Sequence, residues 1–357
     1  MSGEVGGKRI GVREVAAAAG VSTQTVSRVL NGYAGIRDST RERVLAAVAD
    51  LDYRVNNAAR ALGTSLTRTV GVVASDAVLH GPSAGIAALE RAARARGRWI
   101  STAYTDSDDP ADIDAAVRHL LAQGVDGVVL VAAHGVTPLE GYDVPIVPLY
   151  GASGTRQRDA AALVVDHLAD LGHRSIVELA GPSDWREALA RTAGVADAVT
   201  RRGLSLVGRV EGDWSAASGS ALAAEVAARV AAGATAVAVA NDQMALGLVA
   251  GLAARGVRVP MDVSMTGFDD NPDAAFYTPA LTTVRLDVEG EAEYAVAAVL
   301  GHAAELPAEP ELVVRDSTAP AGGLRSRHGS VTERNSRVSG SRLRGSLEIV
   351  GWGGRAP

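Results

Sequence analysis

The sequence predicts a small all-α head carrying a helix-turn-helix, followed by a larger α/β core of two parallel-sheet subdomains. Two patterns and a charge shift carry this expectation. Two short amphipathic helical runs broken by Gly20-Val21-Ser22 occupy Ile10–Asn31, and from Thr69 onward short apolar runs alternate with helical segments. Residues 1–62 hold nine Lys/Arg against six Asp/Glu, residues 63–322 hold 19 against 33, and residues 323–357 hold seven against two. The formal net charge of −6 therefore conceals a positive head on an acidic body. Such a division favours contact with a polyanion through one end of the molecule.

Composition narrows the class. A chain of 357 residues, 47% hydrophobic, is long enough for two or three domains with a sizeable core. No apolar run is long enough to cross a bilayer, and the first residues lack the pattern of a signal peptide, so a cytoplasmic protein without membrane partners is expected. Zero cysteines exclude disulfides, thiolate chemistry and cysteine-based zinc sites. The seven histidines have no metal-ligand spacing. No activated nucleophile, phosphate loop or acid–base pair stands out, so no catalytic residues, metal or cofactor are expected and the chain does not read as an enzyme.

In the head, Val12, Val15, Ala16 and Ala19 recur at helical spacing, and Gly20 ends that helix because it accepts a left-handed backbone. Ser22 offers an N-cap to a second helix whose buried side is Val21, Val26, Val29 and Leu30. Its other side presents Thr23, Gln24, Thr25, Ser27 and Arg28, the short polar and forked donors that read base edges when such a helix enters the major groove. An ordinary helical hairpin is the alternative, but it has no need of five hydrogen-bonding residues there. Ser39 and Glu42 form an S-x-x-E capping box for a third helix, with Val44, Leu45, Val48 and Leu51 as its buried face and Tyr53 closing the core. Asn56–Leu62 is a seven-residue helical run stopped by Gly63, too short to persist alone in water. It reads as a plain linker or as a hinge that folds on DNA, with Leu62 wedged between base steps of the minor groove.

The core begins with strand-like runs at 69–75, 99–105, 127–133, 145–150, 175–180, 236–240 and 263–268, most followed by helices. These are too many for one small sheet, so two subdomains with a cleft between them are expected, with ligands beyond the carboxyl ends of the strands. Polar residues gather there. Asn241-Asp242-Gln243, Asp269-Asp270-Asn271 and Glu211-Gly212-Asp213-Trp214-Ser215 all follow strands. Carboxylates and amides suit paired hydroxyls and an indole suits the apolar face of a pyranose, although Trp214 also reads as a core residue and Asp269 as a turn residue. His80 reads as a solvated loop residue.

These residues resemble the Lac repressor family of bacterial transcription regulators. The likeness rests on V-S-x-x-T-V-S-R-V-L-N in the second helix, the third helix, L-D-Y followed by N-x-A-x-x-L, and Leu171-Gly172-His173-Arg174; it covers nearly all of residues 9–320. Leu79–Ser83, Glu211–Ala216 and Val239–Gly247 narrow it within the family. The resemblance implies a periplasmic-binding-protein-like core of two Rossmann-like subdomains joined by three crossings. Its expected divisions are a head at 1–55, a hinge at 56–67, an N-subdomain at 68–171 and 286–318, a C-subdomain at 172–285, and a disordered tail at 319–357. It implies DNA contacts by Ser22, Thr23, Gln24, Thr25, Ser27, Arg28 and Asn31, and a hinge helix using Asn56, Ala59 and Leu62. It also implies an inducer pocket in which Arg191, Trp214, Asn241 and Asp269 hold hydroxyls and ring, while Leu79 and Gly81-Pro82-Ser83 line the apolar side.

Three departures qualify the pattern. Leu286 and Val288 flank Asp287 where a similar repressor carries Gln and Phe, which weakens the expected aromatic wall. The stretch between Leu149 and Leu163 is short for a strand and loop and lacks the usual strand-ending Asp, so Asp159 is the candidate substitute carboxylate. The Arg-, Ser- and Gly-rich tail lacks leucine heptads, so a homodimer is expected. The implied function is a repressor that binds a near-palindromic double-stranded operator and is released by a small sugar, with a galactoside-like one favoured. A regulator of the same family needing a purine or other corepressor is the alternative, and a sugar-binding transport protein is disfavoured by the head.

Overall fold

The computed structural model describes residues 10–53, 67–75, 77–105, 109–131, 141–150 and 154–323. Asn56, Ala59 and Leu62, together with the chain beyond residue 323, lie outside the described residues.

In the head, α1 (Val12–Ala19) stops at Gly20, whose φ of 62° and ψ of 42° are left-handed. Helix α2 (Thr23–Leu30) is capped by Ser22 Oγ, which accepts from the Thr25 N–H at 3.1 Å. Helix α3 spans Asp38–Asp50 with Arg37 as an N-cap that makes no side-chain bond. The Ser39/Glu42 capping box is therefore not formed, because the helix starts earlier and carries Ser39 into its first turn. Val15, Ala16, Val26, Val29, Val44 and Ala47 form the small core, with Val48, Leu51 and Tyr53 packed on it. Leu45, expected inside, is 49% exposed.

The first core sheet is parallel with order β2-β1-β3-β4, made of β1 (Thr69–Ala74), β2 (Trp99–Tyr104), β3 (Gly127–Val131) and β4 (Ile146–Pro148). Alternation of side chains along β1 sends Val70, Val72 and Ala74 to α4 (His80–Ala95) and α11 (Val288–Val299). Val73 meets Ile113, Val117 and Leu120 of α5 (Pro110–Ala122) on the other face.

The second sheet, order β6-β5-β7-β8, is also parallel: β5 (Ser175–Ala180), β6 (Ser205–Glu211), β7 (Ala236–Val239) and β8 (Ser264–Thr266). One face is covered by α6 (Gly154–Asp170) and α7 (Arg186–Arg202), the other by α8 (Ala216–Ala221), α9 (Ala223–Ala231) and α10 (Asp242–Ala253). Fully buried side chains such as Leu168, Leu179 and Met244 each contribute about 1.5–3 kcal/mol of transfer free energy. Helices α8 and α10 touch backbone to backbone: a Cβ on Gly247 would overlap the Ala216 carbonyl, and one on Gly219 the Met244 carbonyl.

The packing moves the expected subdomain boundaries. Ala161, Val164, Val165 and Leu168 of α6 share a core with Ile176, Val195 and Ala238, so α6 goes with the second sheet and the first crossing precedes Gly154. A two-stranded antiparallel pair, β9 (Thr283–Arg285) with β10 (Glu311–Val313), lies beside the other two crossings. The returning chain stays packed past residue 318. Ser317 Oγ accepts from the Thr282 N–H at 2.8 Å and donates to the Met265 carbonyl at 2.6 Å, while Ala321 N–H donates to the Leu171 carbonyl at 2.9 Å. Residues 319–323 thus belong to the second-sheet unit, where a tail was expected.

Candidate ligand cleft and nucleic-acid interface

The carboxyl ends of both sheets face a cleft of about 500 Å³, counting the part open to solvent. The first unit supplies Leu79, Gly81, Pro82, Val131 and Tyr150; the second supplies Trp185, Glu187, Arg191, Trp214, Asn241, Gln243 and Asp269. This mixture of aromatic and convergent polar groups suits a small organic ligand.

Arg191 organises the polar wall. It projects from α7, is 8% exposed, and donates Nε–H to Gln157 Oε1 at 2.8 Å, Nη1–H to the Ala240 carbonyl at 2.5 Å and Nη2–H to Asp269 Oδ1 at 3.1 Å. Its guanidinium stacks on the Phe268 ring at 3.7 Å and lies 5.4 Å from the Trp214 ring centre. Three partners and two rings fix its plane, and further N–H donors remain for a ligand.

Trp214 is 5% exposed and sits at φ 72°, a left-handed conformation that costs a bulky residue about 1–3 kcal/mol. Asn241 offsets that cost: its Nδ2 donates to the Trp214 carbonyl at 2.9 Å while its Oδ1 accepts from the Met244 N–H at 2.8 Å as the N-cap of α10. The indole closes over Gly181, where a Cβ would strike the ring, and meets Trp185 edge-on at 5.5 Å. Trp214 Nε1 and Gln157 Nε2 are buried without a hydrogen-bond partner among the described residues.

Burial pushes the Asp269 carboxyl up, against the opposing pull of Arg191 and His80. Burial also raises the Tyr150 phenol, helped by the carboxylates of Asp269 and Glu187. Behind the wall, Asp242 is 1% exposed; burial and the nearby Asp269 carboxylate push it up to about 8, although Thr283 Oγ1 and the Asn271 N–H donate to it at 2.6 and 2.7 Å. Across the cleft, the His80 N–H at the start of α4 donates to Gln243 Oε1 at 3.0 Å. Gln243 so serves a helix end whose own N-cap, Leu79, offers no side-chain acceptor.

The structure brings together Leu79, Gly81, Pro82, Arg191, Trp214, Asn241 and Asp269, and leaves out two expected residues. Ser83 is exposed on the first turn of α4, turned away by its helical position. Asp159 is exposed on α6, and the residue of that helix that reaches Arg191 is Gln157, which is 2% exposed. The aromatic residues lining the cleft are Tyr150, Trp185 and Trp214, and neither Leu286 nor Val288 beside Asp287 lines it. Tyr150 and Trp185 carry no motif, and only their places just beyond β4 and after β5 hinted at the cleft.

On α2, Ser22, Thr23, Gln24, Ser27 and Arg28 are exposed, while Thr25 is half-buried with its hydroxyl 2.9 Å from Ser22 Oγ. Asn31 ends the helix, its Nδ2 donating to Ser27 Oγ at 3.3 Å. The polar face is thus continuous from Thr23 to Arg28. Among the described residues no group of His, Asp or Glu is arranged to hold a metal ion, and no helix is long and apolar enough to cross a membrane.

Residues 12–56 match the model of bacterial regulatory proteins of the lacI family, and residues 165–319 match a periplasmic binding protein-like domain. The lactose operon repressor of Escherichia coli (strain K12) is 36% identical over 297 residues, covering 78% of this chain and 81% of that protein. A crystal structure of the Lac repressor dimer bound to operator and the anti-inducer ONPF superimposes with a TM-score of 0.71 at 31% identity, covering 87% of this chain and all of that one. A complex of the transcriptional regulator CelR with cellobiose superimposes at 0.59 with 29% identity over 87% of this chain and all of that one. A helix-turn-helix head joined to a two-sheet ligand core, together with this similarity along most of the chain, places the protein in the lacI family of bacterial transcription regulators.

Proposed function

We propose that the chain is a cytoplasmic, sugar-induced repressor of sugar-utilisation genes that binds a near-palindromic operator as a homodimer and releases it when a galactoside-like saccharide fills the cleft. The observation that carries the reading is the fixed Arg191–Asp269 pair beside the Trp214 and Trp185 indoles: paired donors and acceptors for vicinal hydroxyls next to apolar ring faces. In this reading Thr23, Gln24 and Arg28 read bases from α2, with Ser22, Thr25, Ser27 and Asn31 around them, and the segment containing Asn56, Ala59 and Leu62 folds against the minor groove only when the two heads are held together. Leu79, Gly81 and Pro82 cover the apolar side of the sugar. The two-fold symmetry of a dimer matches the symmetry of the operator.

A thermal-shift screen of galactosides, glucosides, pentoses and purines, followed by operator binding with each hit, tests the proposal. A saccharide that raises the Tm and weakens operator binding is the expected result. A purine that raises the Tm and tightens operator binding would replace induction by corepression. On the DNA side, Arg28→Ala should lose discrimination between operator and random duplex, and an equal loss on both would remove Arg28 from base readout.

A further inference from the structure

Three consecutive residues after β8 make contacts in three directions. Asp269 Oδ1 faces Arg191 in the cleft at 3.1 Å. Asp270, which does not line the cleft, turns its carboxylate away: Oδ2 accepts from Arg285 Nε at 2.8 Å and Oδ1 from Arg315 Nη2 at 2.6 Å. The Asn271 N–H donates to the buried Asp242, whose other oxygen accepts from Thr283 in β9.

The two arginines stand beside the crossings. Arg285 ends β9, just before the chain passes through Asp287 into α11, and it also reaches Glu311 of β10 at 3.2 Å. Arg315 follows β10 on the returning chain and donates to the Leu281 carbonyl at 2.8 Å. Asp269 and Asp270 have φ values of 105° and 50°, both in the left-handed half of torsion space. Neither is glycine, so their backbone has no broad well in which to drift. The Asp269 N–H is also bonded to the Val284 carbonyl of β9 at 2.9 Å. A shift of the Asp269 backbone on ligand binding would be passed to the Asp270 ion pairs, since the restrained torsions between the two residues have little room to absorb it.

From this arrangement we propose that Asp270 is a positioning residue that couples cleft occupancy to the crossings through Arg285 and Arg315 and so sets how far effector binding weakens DNA binding. It touches neither effector nor DNA. The proposal rests on the reading of the cleft as an effector site, and a coupling role requires that both sites bias one shared element.

The test uses the full chain and the saccharide that most strongly releases the parent from operator. Saccharide Kd is measured by calorimetry, and operator Kd by fluorescence anisotropy with and without saturating saccharide. Parent release of about 5–150-fold, the usual range of allosteric coupling, should fall below about threefold in Asp270→Asn, while both Kd values measured separately stay within about threefold. Arg285→Gln, at a side chain 52% exposed, should reduce release in the same direction and guards against misfolding of the first variant. Glu225→Gln, which breaks a surface pair with Arg229 in the same unit, should leave release unchanged. Undiminished release in Asp270→Asn or Arg285→Gln overturns the coupling role and leaves the cleft reading intact. A parent that no saccharide releases overturns both.

Discussion

The two walls of the cleft are built on different principles. The wall from the second sheet is a buried polar lattice: Arg191 between Gln157, Ala240 and Asp269, Asn241 clamping Trp214, and Asp242 behind them. The wall from the first sheet is mainly apolar, with Leu79, Pro82 and Val131 beside Tyr150, and a bond from the His80 N–H reaches across from it to Gln243. A polar lattice has one low-energy arrangement, because a displaced member leaves its partners buried and unsatisfied. Apolar contact is non-directional and tolerates sliding. Under the proposed effector reading, the polar wall selects the ligand and the apolar wall is the one that tolerates sliding over it.

Variants on the two sides sharpen or break this contrast. Arg191→Ala should cost the largest amount, about 2–5 kcal/mol of saccharide affinity by calorimetry, because Asp269 and Gln157 lose a buried charged partner. Gln157→Ala, which touches only Arg191 among the polar groups of the wall, should cost about 1–3 kcal/mol by the same measurement through the unsatisfied Nε–H. Asp242→Asn addresses the support behind the wall. Folding raises this carboxyl from 3.8 to about 8, so the folded chain keeps a proton that the unfolded chain releases. Its contribution to stability is lost as pH rises, at about 1 kcal/mol per unit, until the folded group ionises near pH 8. Urea midpoints between pH 7 and 8.5 should therefore fall more steeply in the parent than in Asp242→Asn. Leu79→Ala should have the smallest effect, about 1 kcal/mol or less in affinity, as a partly buried apolar contact. A Leu79→Ala loss as large as that of Arg191→Ala would abolish the distinction between the walls.

The parts legible in the sequence are those where periodicity and chemistry coincide. Gly20 and Ser22 mark the turn of the head because one supplies a left-handed residue and the other a cap, both local properties. The inner strands β1, β3, β5 and β7 are legible because apolar residues buried on both faces form near-unbroken runs, whereas the edge strands β2 and β6 are half-exposed. Asp159 shows where such reading stops: on a helix, two residues separate the face that reaches Arg191 from the face in solvent, and Gln157 held the inner one. The 68–171 boundary implied by the resemblance puts α6 with the first sheet, whereas it packs on the second; its apolar stripe announces that it packs without naming its partner. Tyr150 and Trp185 reach the cleft through loop geometry, which leaves no spacing to detect.

The glycine contact between α8 and α10 bears on how such a protein can be re-targeted. Trp214 and Asn241 stand on the two sides of a seam with no room for a methyl group at Gly219 or Gly247. A side chain at either glycine would push α8 and α10 apart, and with them the Trp214 and Asn241 flanks of the cleft.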